Sequence, residues 1–175
     1  EDEESHCKKG IVLNKLGRHK QAIKSFDCAI LINPDLHEPY LNKGISFSAL
    51  KKYEDALQCF NKAIDLDSKL ADAYYNKASA LQHLNRYDEA LSSITRAVEL
   101  KPKNIEYLCE NTVILSKLNL KEEAMKCYIK IIVIDPLFST AYINKEVLFY
   151  DLNQKSEALE LYDKVLEIKP DDSEV

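Results

Sequence analysis

Asparagine stands at 42, 76 and 144, positions separated by multiples of 34 residues, while Lys8 and Glu110 hold the same register elsewhere. A side-chain amide donates and accepts hydrogen bonds at once, so it can pair with both groups of a peptide backbone whatever that peptide's sequence. One amide per structural unit would therefore satisfy a polypeptide that loses its water on binding. Other chemistry-bearing residues offer less. Cys7, Cys28, Cys59, Cys109 and Cys127 are odd in number, widely separated and without a Cys-x-x-Cys pair. His6, His19, His37 and His83 are equally scattered, so no metal-ligand spacing emerges and no metal or other cofactor is expected. The three glycines, Gly10, Gly17 and Gly44, cannot build a phosphate cradle. Adjacent carboxylates such as Glu122-Glu123 read as partners of a helix start rather than an acid–base pair. A catalytic role is not expected for this chain.

The bulk composition agrees. Net charge is −5 over 175 residues, and no basic stripe suited to phosphates appears, which argues against a nucleic-acid partner. The longest unbroken aliphatic run, from Ile131 to Ile134, is far too short to span a membrane. The cysteine pattern fits reduced thiols packed between helices in an intracellular, most simply cytoplasmic, setting. The chain opens Glu-Asp-Glu-Glu without methionine, and we read it as a segment of something longer.

The elements that must position these residues are written in the period. Ala22, Ala56, Ala90, Ala124 and Ala158 follow one another at intervals of 34. A leucine precedes each by six residues (Leu16, Leu50, Leu84, Leu118, Leu152). A large apolar residue follows each by four (Phe26, Phe60, Ile94, Tyr128, Tyr162). Proline, or once Ser68, follows by twelve. An unbroken period of this length signals stacked supersecondary units: 3–36, 37–70, 71–104, 105–138 and 139–172, a single array across the chain. Within the second unit, apolar spacing predicts helices across about 37–50 and 53–66. Acidic pairs open the second helices and basic residues follow later, as the helix dipole favours.

Small residues at Gly10, Gly44 and Ala78, facing the periodic alanines, mark where two helices approach closely. With Tyr40, Phe47, Phe60 and Ala63 in the second unit, and Tyr74, Ala90, Ile94, Ala97 and Pro102 in the third, the pattern resembles the tetratricopeptide repeat family. That resemblance implies an all-α fold, a right-handed superhelical solenoid of helix-turn-helix repeats. Repeat four departs from it with Thr112 and Ile131 where small residues belong, and repeat five with Glu146 and Val165. Larger side chains there should alter the local helix packing.

The resemblance also implies a groove lined by the first helix of each repeat, with the residue two before the Gly/Ala position pointing inward. Those residues are Lys8, Asn42, Asn76, Glu110 and Asn144. Neighbouring helices pack roughly 8–10 Å apart, and an extended chain rises about 3.3 Å per residue, so each repeat would meet every third ligand residue. Leu41 and Tyr75 are the apolar neighbours best placed to contact a partner, from a set that includes Ile45, Cys109, Val113, Ile143 and Val147. A clamp for an acidic carboxyl terminus, known in relatives, is not expected, because Cys7, Ile11, Asn42, Asp72 and Asn76 occupy its places and only Asn42 suits it.

The function expected is a protein–protein interaction module that holds a peptide or protein segment in that groove. The alternatives are a structural subunit of a large assembly, such as a ciliary or transport complex, or the recognition arm of an enzyme whose catalytic part lies elsewhere. At the carboxyl end, Leu152, Leu166 and Ile168 are expected to form an uncapped apolar strip through which the chain self-associates.

Overall fold

The computed structural model describes residues 2–135. Among them lie eight helices: α1 (Glu3–Lys15), α2 (His19–Ile32), α3 (His37–Ala49), α4 (Tyr53–Leu66), α5 (Ala71–His83), α6 (Tyr87–Leu100), α7 (Ile105–Lys117) and α8 (Lys121–Ile134). They follow the 34-residue period, with 13 residues in each first helix and 14 in each second. No strand occurs among the described residues. The chain divides into two compact units, Glu1–Lys101 and Pro102–Val175, at the join between the third and fourth repeats.

Each repeat is a helical hairpin closed by one joint. Gly17, Lys51, Asn85 and Asn119, one per repeat, adopt positive φ of 72°, 59°, 58° and 59°. The next backbone N–H reaches back to the helix, Arg18 to Leu13 O at 2.8 Å and Lys52 to Phe47 O, Arg86 to Leu81 O and Leu120 to Leu115 O at 2.9 Å each. These bonds satisfy carbonyls that the helix end leaves open, which is why a left-handed residue stops each first helix. Asn85 and Asn119 tolerate that conformation, whereas the β-carbon of Lys51 sits there at a cost.

Second helices end differently. α2 stops at Ile32, before Asn33 and Pro34, because a residue preceding proline is driven out of helical dihedrals. α4 stops at the same register, Leu66, although Ser68 replaces the proline. There the side chain of Asp67 accepts from the Lys69 N–H at 2.9 Å, and Asn33 makes the same turn with Asp35 at 3.2 Å. The turn chemistry alone is sufficient.

Within a hairpin, glycine admits an aromatic ring. A β-carbon added at Gly10 would lie 2.5 Å from Phe26 Cε1, and one at Gly44 would lie 2.5 Å from Phe60 Cε1. The third repeat trades volume the other way, pairing Ala78 with Ile94, both fully buried. In the second unit Thr112 and Ile131 stand at small-residue positions and are nonetheless buried, with the Thr112 hydroxyl turned onto Cys109 O at 2.6 Å.

A candidate peptide groove

In the first unit, successive first helices touch, α1 with α3 and α3 with α5, while no such contact joins α2 with α4 or α4 with α6. The three hairpins therefore curve with their first helices on the inside. The four helical residues Leu41, Asn42, Tyr75 and Asn76 occupy equivalent places on α3 and α5, and all four are half-buried.

The amides are already partly engaged. Asn42 Nδ2 donates to the backbone carbonyl of Glu38 at 3.0 Å, and Asn76 Nδ2 donates to that of Asp72 at 2.7 Å. Each bond runs one turn back along the same helix, so both amides are held in the same orientation. Each amide has one hydrogen committed to its own helix. A second hydrogen and the oxygen of each amide remain for another partner.

Around the pair the groove is acidic. Between the starts of α1 and α3 lies a cleft of about 360 Å³ lined by Glu3, Glu4, Cys7, Lys8, Glu38 and Pro39. Lys8, in the register of the asparagines, is exposed and paired with Glu4 one turn earlier. Burial, assisted by the charge of Glu38, pushes the Cys7 thiol up to about 11, so it stays protonated at neutral pH. On α5, Asp72 is paired with Lys101 at 3.0 Å.

The remaining candidates lie in the second unit or outside the described residues. Glu110 is half-buried on α7 of the second unit. Beside it Cys109 has its thiol pKa raised, first by burial and then by the charges of Glu106 and Glu110. Val113, one turn on, is 43% exposed. Asn144, Ile143 and Val147 lie outside the described residues, as do Leu152, Leu166 and Ile168.

One cluster escaped the sequence reading. The Ser46 hydroxyl, on a residue with no exposed surface, lies 2.8 Å from Asn14 Oδ1 and 2.9 Å from the Asn42 carbonyl oxygen. Asn14 Nδ2 donates to that same carbonyl at 3.2 Å, and the His19 ring lies 3.1 Å from Asn14 Oδ1. This stitch between the first two repeats fixes the backbone that carries Asn42. Its signal was available: serine at 46 is polar where the same register holds Val12, Ala80 and Ile114. Among the described residues no group of three or more histidine, cysteine, aspartate or glutamate side chains could hold a metal. None of the described helices is long and apolar enough to cross a membrane.

A model of the tetratricopeptide repeat matches residues 3–36, 37–70 and 71–104, and a second tetratricopeptide repeat model matches 140–172. The chain belongs to the tetratricopeptide repeat family, whose repeats are protein–protein interaction modules. Neither match covers 105–139, the segment that includes Thr112 and Ile131. No curated protein sequence matches the chain significantly. Among solved structures, it resembles YrrB, described as a tetratricopeptide repeat protein with an unusual peptide-binding site, with a TM-score of 0.79 at 23% identity over 95% of this chain and 86% of that one. It resembles a MamA protein with a TM-score of 0.86 at 22% identity, over 99% and 96% of the two chains. MamA from Desulfovibrio magneticus RS-1 gives 0.83 at 18% identity, over 98% and 97%. At these identities the likeness establishes an all-α helical repeat solenoid.

Proposed function

We propose that the chain binds an extended polypeptide segment along the inner face of α1, α3 and α5, through Asn42 and Asn76 with Leu41 and Tyr75 beside them. The observation that carries this reading is the matched orientation of the two amides, each held by the carbonyl one turn back. Two amides set alike on adjacent helices suit a ligand whose own hydrogen-bonding groups repeat, which a peptide backbone provides. The likeness to YrrB, whose description records a peptide-binding site, supports the same direction. Glu110 and Asn144 extend the proposed contact set in the last two repeats.

Selection from a displayed library of random twelve-residue peptides tests the reading. Selected peptides should bind the wild-type chain, and the Asn42→Ala, Asn76→Ala double variant should bind them at least tenfold more weakly, as about 1 kcal/mol per lost hydrogen bond implies. Because each amide also bonds its own helix, a melting curve must accompany the titration. Undiminished affinity in the double variant would reject the groove.

A further inference from the structure

The first two joins between repeats are finished differently at their hairpin-turn edge. Across the second join, the Arg86 guanidinium lies 3.5 Å from both carboxylate oxygens of Glu54. Beside that pair the ring of Tyr53 stacks on that of His83, with centroids 4.6 Å apart and planes 12° from parallel. One repeat earlier, the registers of Glu54 and Arg86 hold Lys20 and Lys52, and those of Tyr53 and His83 hold His19 and Ala49. Two cations stand where the next join has an ion pair, and a methyl group stands where it has a ring. The His19 ring is engaged elsewhere, 3.1 Å from Asn14 Oδ1.

Space and charge are both left over. A cleft of about 360 Å³ opens at this edge of the first join, lined by Gly17, Arg18, His19, Lys20, Gln21 and Leu50. Arg18 and Lys20 are exposed, and neither forms an ion pair among the described residues. Lys52 reaches only Asp55, three residues on, at 3.9 Å. The first turn of α2 holds no acid, whereas α4 and α6 open with Glu54-Asp55 and Asp88-Glu89. Cations at paired registers repel, and a carboxylate set between them turns that repulsion into attraction.

We propose that this cleft binds an acidic segment of a partner protein, which brings the two groups that the second join supplies for itself. A carboxylate of the partner takes the place of Glu54 between Lys20 and Lys52, with Arg18 beside it. An aromatic ring next to that carboxylate takes the place of Tyr53 and packs on Leu50. The ligand is a short acidic segment rather than a long polyanion. Glu54 and Asp55 border the cations and the chain carries a net charge of −5, so a phosphate backbone running beyond the cleft meets repulsion. The site lies on the turns that join first helices to second, apart from Asn42 and Asn76.

Calorimetric titration of the 175-residue chain with a carboxyl-amidated peptide of alternating Tyr and Glu tests the proposal. That peptide should bind, and its counterpart of alternating Tyr and Gln should bind about tenfold more weakly. Lys20→Glu supplies the carboxylate from within, facing Lys52 as Glu54 faces Arg86. It should cut affinity about tenfold while the chain melts no lower than the wild type. Lys20→Ala removes one cation only and should cut affinity about threefold. Asn42→Ala with Asn76→Ala should leave this binding unchanged, which separates the cleft from the groove. The proposal is overturned if the Tyr-Glu peptide fails to bind, if the Tyr-Gln peptide binds equally, or if Lys20→Glu leaves affinity unmoved or lowers the melt. Loss of binding in the asparagine double variant, or inorganic polyphosphate binding as tightly as the peptide, would overturn it as well.

Discussion

The second and fourth repeats use the same 34-residue frame for different chemistry. In the second, Gly44 admits the ring of Phe60, Asn42 is held on its own helix, and Lys43 pairs outward with Asp27. In the fourth, the same three registers hold Thr112, Glu110 and Asn111. Asn111 is turned inward and buried, with its nitrogen 3.4 Å from Cys127 Sγ and its oxygen without a hydrogen-bond partner. The hairpin survives both arrangements because its joint and its apolar spacing are unchanged. What differs is the close approach: around Gly44 the second repeat is tight and leaves its one stranded atom, His37 Nδ1, at the helix start, whereas the fourth buries the unpaired Asn111 oxygen beside the approach itself.

The largest expected effect breaks the tight side of the comparison. Gly44→Ala forces a β-carbon into Phe60, which has no exposed surface and so has little room to move. It should destabilise the chain by about 1–3 kcal/mol in urea unfolding. Adding Phe60→Ile recreates the Ala78–Ile94 pair of the third repeat and should recover at least half of the loss. If the double variant is no better than the single, the small-for-large exchange is not what shapes the hairpin.

A smaller effect of opposite sign sharpens the other side. Asn111→Leu removes the stranded oxygen and a weak bond to sulfur while keeping the branched shape, and should stabilise by about 1 kcal/mol. Lysine at the equivalent place in the third repeat, Lys77, is half-buried and carries no such burden, so Lys77→Leu should shift stability by about 0.5 kcal/mol or less. Equal responses at the two sites would dissolve the contrast. The smallest effect tests what the repeats share. Lys51→Gly should raise the melting temperature, through about 0.5–1 kcal/mol of relieved left-handed strain, whereas Asn85→Gly should do less.

Much of this was legible in the amino acids alone. Apolar spacing located the second-repeat helices at 37–50 and 53–66, against observed spans of His37–Ala49 and Tyr53–Leu66. The close approach at Gly44 was legible from its size, but its neighbour was not: the space serves the ring of Phe60, where the spacing pointed to the periodic alanine. The left-handed joint was harder to read, because Gly, Lys and Asn share no property except that one tolerates the conformation best and another merely endures it. The amide orientations were not readable at all. Whether an asparagine bonds the carbonyl one turn back or points into solvent depends on a rotamer, and sequence does not encode a rotamer without its neighbours. Ser46 went unnoticed for a related reason: a hydroxyl is polar by type, yet it can be wholly enclosed where a carbonyl and a neighbouring amide oxygen lie within reach of its proton.

The back-bonded asparagines carry a thermodynamic consequence. A free side chain surrenders rotational freedom when a ligand seizes it, at about 0.5–1.5 kcal/mol for each one immobilised. Asn42 and Asn76 have surrendered that freedom during folding, to the carbonyls of Glu38 and Asp72. A chain docking along α3 and α5 as proposed would meet two amides whose direction is set before it comes. In the proposed binding mode these two amides would be a template already cooled, and the entropy they lost in folding would not have to be lost again on binding.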